Sequence, residues 1–269
     1  IAIYDPRRMT TSQPGKLSRA MIRLTRLIIK ILEERTPDGY VFRTDFRIRP
    51  APGSTPLAIP IDSAIGYYET IGQNWERLAM IRARPVAGDT KVSDDFIARI
   101  RPFVWRRNLD FAAIQDIHSV KRQIAAFRGG DKISINGHNI KVGRGGIREI
   151  EFFVQTQQLI WGGRTPALRT RDLVETLYAL AAENRVSVKI CNDLCNAYIF
   201  LRHLEHRLQM VDDRQTHDLP KTDEGIEEIS KFAGFRDATS FREKLRKTLK
   251  TVEFHYARLF EEAKNLGAE

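Results

Sequence analysis

The segment RTDFRIRP, residues 43–50, carries the side chains from which phosphoryl chemistry is built. Asp45 is its one carboxylate, with Arg43 two residues before it and Arg47 and Arg49 two and four residues after it. Period-two alternation puts Val41, Arg43, Asp45, Arg47 and Arg49 on one side of a strand, and Tyr40, Phe42, Thr44, Phe46 and Ile48 on the other. A carboxylate beside a row of guanidinium forks suits a divalent cation such as Mg²⁺ next to a bound phosphate. The cation takes oxygen ligands and the forks take phosphoryl oxygens. A structural ladder of ion pairs fits the same spacing, and spacing alone leaves both readings open.

Gly143-Arg144-Gly145-Gly146 opens a predicted helix. The third glycine of a dinucleotide fingerprint would fall at Arg148, and no acidic ribose ligand follows at the required distance, so that reading is set aside. A glycine turn at a helix start can hold an anion on its N–H groups, with Arg144 and Arg148 as further donors; it can equally be a purely structural turn. Glu149 and Glu151 diverge on a helix and make a poor acid/base pair, while Arg148 and Glu151 are spaced for a surface ion pair.

The string RHLEHRLQMVDDRQTHDLP gathers His203, His206, Asp212, Asp213 and His217. Two histidines three apart around Glu205 match neither H-E-x-x-H nor its inverse, so zinc is disfavoured against capping, ion pairs and core histidines, or support at a site rim. A Ser–His–Asp site has no nucleophile elbow to start from.

The elements that must position these groups follow from periodicity. IAIYDP reads as the end of a strand and predicts that the chain starts inside a larger protein, with no secretory leader. A helix is predicted from Lys16. Lys16, Arg19, Arg23, Arg26 and Lys30 form one stripe of it, and Leu17, Met21, Leu24, Ile28 and Ile31 form an apolar stripe for a core. Leu57-Ala58-Ile59 predicts a short returning strand. Helices are predicted near 62–71, 73–83, 93–106, 110–128, 146–163, 170–184, 187–212, 223–233 and 238–265, with Asp62, Ser93 and Asp110 as N-caps. Asn136-Gly137 predicts a β-hairpin near 132–142. The fold class is therefore α+β and mostly helical: a partial sheet in residues 1–60, then a helical-bundle domain over 61–269 with one hairpin.

Composition bounds the partners. The 269 residues hold 44 Lys+Arg and 34 Asp+Glu, a net +10, and 42% of them are hydrophobic, which excludes disorder and collagen-like repeats. No apolar run approaches the ~20 residues of a bilayer span, and the two cysteines, Cys191 and Cys195, are too few for a disulfide framework or a zinc site; they read as thiols in a reducing cytoplasm. The excess of positive charge is concentrated in residues 1–50, but no aromatics interleave the basic run at Lys16–Lys30, so nucleic acid is disfavoured.

Four stretches add a resemblance to these readings. YVFRTDFRIRPAPGSTPLAI, GQNWERLAMIRARPVAGD, VGRGGIREIEFFVQTQQLIWGGRTPALR and LRHLEHRLQMVDDRQTHDLP, in this order, resemble the glutamine synthetase adenylyltransferase family, over nearly the whole chain. That family has two nucleotidyltransferase-like halves, each followed by a helical domain. RTDFRIRPAPGS, Tyr67-Tyr68-Glu69 and GQNWER are similar to the N-terminal, adenylyl-removing half.

The resemblance implies phosphorolysis of AMP–tyrosine on glutamine synthetase to ADP, a Mg²⁺ cofactor, and Asp45 as both catalytic residue and metal ligand. It implies Arg47 and Arg49 on phosphate, and Arg144 and Arg148 on nucleotide or protein substrate. The implied partners are glutamine synthetase, a PII signalling protein, nucleotide (ATP/ADP) and phosphate, with no nucleic acid and no membrane. The alternatives are the ATP-dependent adenylylating half, or a helical docking module for glutamine synthetase or PII. The family's S-D-x-D carboxylates have no counterpart in this chain and Asp5 matches neither, so the 269 residues alone are expected to be inactive.

Overall fold

The computed structural model describes residues 1–10, 14–107 and 133–266. The chain divides into two compact units, Ile1–Arg106 and Arg107–Glu269. The boundary expected after residue 60 falls inside the first of these units. Two further expectations, the helix at 110–128 and the cap Asp110, lie outside the described residues.

In the first unit, β1 (Ala2–Tyr4) pairs in parallel with β2 (Ala58–Pro60), with Ala2 opposite Ala58 and Tyr4 opposite Pro60. Around this pair stand α1 (Leu17–Glu33), α2 (Ile61–Thr70), α3 (Asn74–Met80) and α4 (Thr90–Val104). The buried residues explain why the unit extends past residue 60. Ile61, Ala64, Ile65 and Tyr68 of α2 pack against the pair and against Phe96, Ile100 and Phe103 of α4, with the Tyr68 and Phe103 rings 5.2 Å apart.

The caps differ from those predicted. Asp89, not Ser93, caps α4 by accepting from the Lys91 amide at 2.9 Å. Pro60 precedes α2, and Asp62, in its first turn, instead takes the Arg99 guanidinium at 2.8 Å.

The GQNWER motif ties α3 in place. Glu76 accepts from the Gln73 amide at 2.9 Å and the Tyr67 hydroxyl at 3.1 Å, completing a capping box. Its burial pushes the carboxyl pKa up. Arg77, fully buried, reaches Asn74 Oδ1 at 2.8 Å and the Val104 carbonyl at 3.2 Å, joining α3 to the end of α4.

Two expectations in this unit are corrected. The residues of α1 withdrawn from solvent are Leu17, Met21, Ile22, Ile29 and Leu32, half-buried, and Thr25, buried, and the helix packs on β2. The predicted core stripe is largely unburied, with Leu24, Ile28 and Ile31 at 47%, 45% and 61% exposure. Residues 40–49 form no strand. Two of the N–H groups a ladder would need are taken by side chains, Thr44 N–H by Glu33 at 2.7 Å and Arg47 N–H by Asp45 at 2.9 Å.

The second unit is helical: α5 (Ile147–Trp161), α6 (Leu173–Ala182), α7 (Val188–Met210), α8 (Asp223–Phe232) and α9 (Ala238–Leu266). Asp172, Ser187 and Thr222 cap α6, α7 and α8 through their side-chain oxygens. α9 packs along α5 and α7; its Phe241, Leu245, Leu249 and Val252 are fully buried, as are Ile147 and Ile150 of α5 and Leu201 of α7. Each such side chain stabilises the bundle by roughly 1.5–3 kcal/mol. Cys191 and Cys195 are free thiols in this core, and burial, with Cys191 adjacent, pushes the Cys195 thiol up to about 12. No described helix is long and apolar enough to cross a membrane.

The expected hairpin forms only its turn. A turn does close over Asn136-Gly137, where His138 N–H reaches the Ile135 carbonyl at 3.1 Å and Gly137 has φ +71°. The described part of the two arms does not pair with itself. Residues 137–140 run antiparallel to 217–220: Gly137 N–H donates to Pro220 O, Leu219 N–H to His138 O and Ile140 N–H to His217 O, at 3.0, 2.9 and 2.9 Å. Asn139 then ends the extended run, its Oδ1 accepting from the Lys141 and Val142 amides at 3.0 and 2.8 Å and curling the chain into a turn.

Candidate functional site

Asp45 sits on the irregular segment between α1 and β2. Its carboxylate takes the Arg47 guanidinium in a fork, Nη2 to Oδ2 at 2.7 Å and Nε to Oδ1 at 3.1 Å, beside the Arg47 amide. Those hydrogen bonds hold the Asp45 carboxyl below the usual carboxylate range. The pair lies open to solvent, the Arg47 side chain at 89% and that of Asp45 at 52% exposure. A cation or phosphate approaching from solvent meets both groups directly.

Arg49 is placed differently. It turns into its own loop, donating to the carbonyls of Phe46 at 2.7 Å, Pro52 at 2.6 Å and Thr55 at 3.3 Å. The Thr55 hydroxyl donates in turn to Pro50 and Ala51 carbonyls, so RPAPGST is a closed loop with Arg49 as its clasp. Arg43 and Arg35 both stack on Tyr40, at 5.5 and 5.2 Å from the ring centroid. Glu33, eleven residues earlier, anchors Thr44 to the end of α1; no spacing rule in the sequence pointed to it.

Asp45 by itself does not make a Mg²⁺ site. The ion takes several oxygen ligands in an octahedron, and no group of three or more His, Cys, Asp or Glu suited to a metal occurs among the described residues.

Arg144 and Arg148 belong to the helical unit. Arg144 pairs with Glu253 of α9, and Arg148 with Glu151 at 3.4 Å as its spacing implied. Glu149 turns into the core and diverges from Glu151. The start of α5 is spoken for: Ile147 N–H donates to Ile140 O at 3.0 Å, Arg148 N–H to Lys141 O at 2.8 Å and Glu149 N–H to Gly146 O at 3.0 Å. An anion here has side chains to bind, not these three amides. Gly145 is glycine because its φ is +74° and because a Cβ would lie 2.2 Å from the Leu249 carbonyl of α9.

A buried charge cluster that no sequence motif marks surrounds Glu205. The Glu205 side chain is 2% exposed and faces Arg202, the His217 imidazole at 2.9 Å and the Lys141 ammonium at 3.4 Å. Burial, with Lys141 adding, pulls the His217 pKa down against the opposing pull of Glu205. His203 and His206 point outward instead and line a shallow surface cavity with Arg207, Met210 and Phe232. The histidines therefore do not converge. Asp212 and Asp213 form a left-handed turn at φ 57° and 47°. The missed signal was Lys141, 64 residues away from Glu205 in the chain.

Comparison with known proteins fits these two units. Residues 118–260, more than half the chain, match the family model of GlnD PII-uridylyltransferase, and residues 1–99 match that of glutamate-ammonia ligase adenylyltransferase. Both models describe nucleotidyltransferases, which sets the class. Over 269 residues the chain is 53% identical to the bifunctional glutamine synthetase adenylyltransferase/adenylyl-removing enzyme of Rhizobium meliloti, covering 100% of this chain and 27% of that protein. The enzyme of the same name from Mesorhizobium japonicum is 52% identical over 268 residues, with 100% and 27% covered. That of Bartonella henselae is 55% identical over 258 residues, with 95% and 26% covered. The chain belongs to the family of bifunctional glutamine synthetase adenylyltransferase/adenylyl-removing enzymes. It spans about a quarter of the length of these relatives.

Proposed function

We propose that this chain is part of a bifunctional enzyme that modifies glutamine synthetase in the cytoplasm, and that it comes from the adenylyl-removing half. The carrying observation is the identity of 53% along the whole chain to a relative whose name states both activities. The choice of half rests on the resemblance carried by RTDFRIRPAPGS, Tyr67-Tyr68-Glu69 and GQNWER. In this reaction an oxygen of orthophosphate attacks the phosphorus of AMP–tyrosine. The bond from phosphorus to the tyrosyl oxygen breaks, ADP leaves, and the phenolate takes up a proton.

The chain's own residues have separate tasks in this reading. Arg47 releases Asp45 and turns its exposed fork onto a phosphoryl oxygen, as a bidentate guanidinium is suited to do. Arg49 fixes the loop that presents it and lends a remaining N–H to phosphate. Asp45 contributes one carboxylate to a Mg²⁺ site whose other ligands come from elsewhere in a longer enzyme; the ion supplies charge neutralisation on the transferred group. Arg144 and Arg148 offer side-chain contacts to nucleotide or to the protein substrate, and PII protein is the regulatory partner.

The test uses adenylylated glutamine synthetase and orthophosphate, with ADP release as the readout. The 269-residue chain alone should release none, and a longer enzyme containing it should release ADP without ATP. ADP release by the isolated chain contradicts the incomplete-site reading. ATP-dependent labelling that needs Asp45 assigns the chain to the adenylylating half instead.

A further inference from the structure

The helical unit carries a charged groove that the reaction does not use. It has a volume of about 1180 Å³ and runs between the α6–α7 connection and the middle of α9. Buried Phe153 and Val186 and half-buried Ile190 make its floor apolar. The walls are cationic: Arg185 and Lys189 stand on one side, and Arg246, Lys247, Lys250 and Arg258 of α9 on the other. Among the described residues, Asp193 and Glu243 are the carboxylates lining it.

Some of these charges are already engaged. Asp193 holds the Lys189 ammonium at 2.7 Å and the His255 imidazole at 2.9 Å. The Arg185 guanidinium lies 4.0 Å from the Trp161 ring centroid, and that of Arg258 5.4 Å from Phe254. Arg246, Lys247 and Lys250 have no ion-pair partner among the described residues, and all three are exposed. Arg246 and Lys250 are four residues apart on one helix face, a like-charge spacing that destabilises a helix until an anion neutralises it. Phe254 stands 55% exposed in the middle of this row.

We propose that this groove docks an extended acidic segment of a partner protein, carboxylates meeting Arg246, Lys247, Lys250 and Arg258 and an apolar side chain packing on Phe254 and the floor. Length argues for an extended ligand. Arg246 and Arg258 are twelve residues apart, about 18 Å along the helix at ~1.5 Å per residue, whereas a nucleotide phosphate needs cations converging on one point. The mixed sign argues for polypeptide over nucleic acid. Asp193 and Glu243 repel a continuous phosphate backbone but accept peptide N–H groups, and one exposed aromatic is no stacking platform.

The test is fluorescence anisotropy on the whole 269-residue chain. The probe is a labelled peptide alternating Glu and Leu, of roughly eight residues, long enough to span the row at about 3.3 Å per residue. The Glu peptide should bind in a salt-dependent way, and its Gln counterpart should not. Lys247→Glu with Lys250→Glu should weaken binding about tenfold or more, while Lys221→Glu, outside the groove, leaves it unchanged. A Lys-for-Glu peptide should bind the doubly reversed chain, which distinguishes lost charge from lost folding. Equal binding of the Gln peptide, indifference to the double reversal, or displacement of the peptide by ATP or oligothymidylate would overturn the proposal.

Discussion

Residues 40–56 and 135–149 both set arginines beside turns, yet they are built on opposite plans. In the first, side chains hold the backbone. Glu33 and Asp45 take amides, Arg49 caps three carbonyls, and Val41, Phe42 and Ile48 stay 58%, 68% and 48% exposed. In the second, backbone holds backbone. Three successive amides at the start of α5 meet main-chain carbonyls, Gly145 abuts the Leu249 carbonyl, and Ile135, Ile140 and Ile147 are 3%, 0% and 0% exposed. One region is an exposed loop clasped by its own side chains; the other is a joint that sets α5 against α9. Whether the neighbouring apolar residues are buried tells the two apart, and the arginines do not.

If the second region is a joint, the largest effect comes from crowding it. Gly145→Ala adds a methyl in contact with Leu249 O and imposes a positive φ on an L side chain. It should cost about 3 kcal/mol, or roughly 6–12 °C in Tm at ~2–4 °C per kcal/mol, read by thermal melting. Glu205→Gln comes next. It leaves Arg202, His217 and Lys141 facing a neutral buried amide and should cost about 2 kcal/mol, read by urea unfolding.

Acid should weaken the same region. Burial holds the His138 and His217 pKa values below their ordinary 6.5, so the unfolded chain takes up these protons first. The stability they contribute is complete above about pH 6.5 and is lost as pH falls from there through the folded values. Melting temperature should drop between pH 7 and pH 5, and His138→Gln should flatten that slope. The smallest effect belongs to the first region. Arg47→Ala removes an exposed pair and should change stability by less than about 0.5 kcal/mol. A cost as large as that of Gly145→Ala would erase the contrast between the two regions.

Much of this fold was legible in the sequence because helices announce themselves by period. All the predicted helices that fall on described residues are present, most within a few residues of their expected ends. What the pattern did not reveal was competition for backbone hydrogen bonds. Residues 40–49 alternate like a strand, but Asp45 and Glu33 divert their amides; Asn136-Gly137 turns the chain, but Asn139 and the 217–220 segment claim the arms. The α1 stripe has the right spacing but is withdrawn from solvent only at Leu17 and Met21, since spacing does not say which residues meet β2. At the site, the Asp45–Arg47 fork and the Arg148–Glu151 pair were readable from local spacing. The Arg49 clasp, the Glu33 anchor and the Glu205 cluster join residues by routes that no periodicity encodes.

The central claim is that residues 40–56 present phosphoryl-binding groups for the adenylyl-removing reaction of a longer enzyme. Asp45→Asn in that longer enzyme, assayed with adenylylated glutamine synthetase, measures it most directly. Orthophosphate-dependent ADP release should fall about a hundredfold or more, while ATP-dependent labelling of glutamine synthetase and the melting temperature stay unchanged. Unchanged ADP release, or loss of the labelling reaction in its place, would contradict the account.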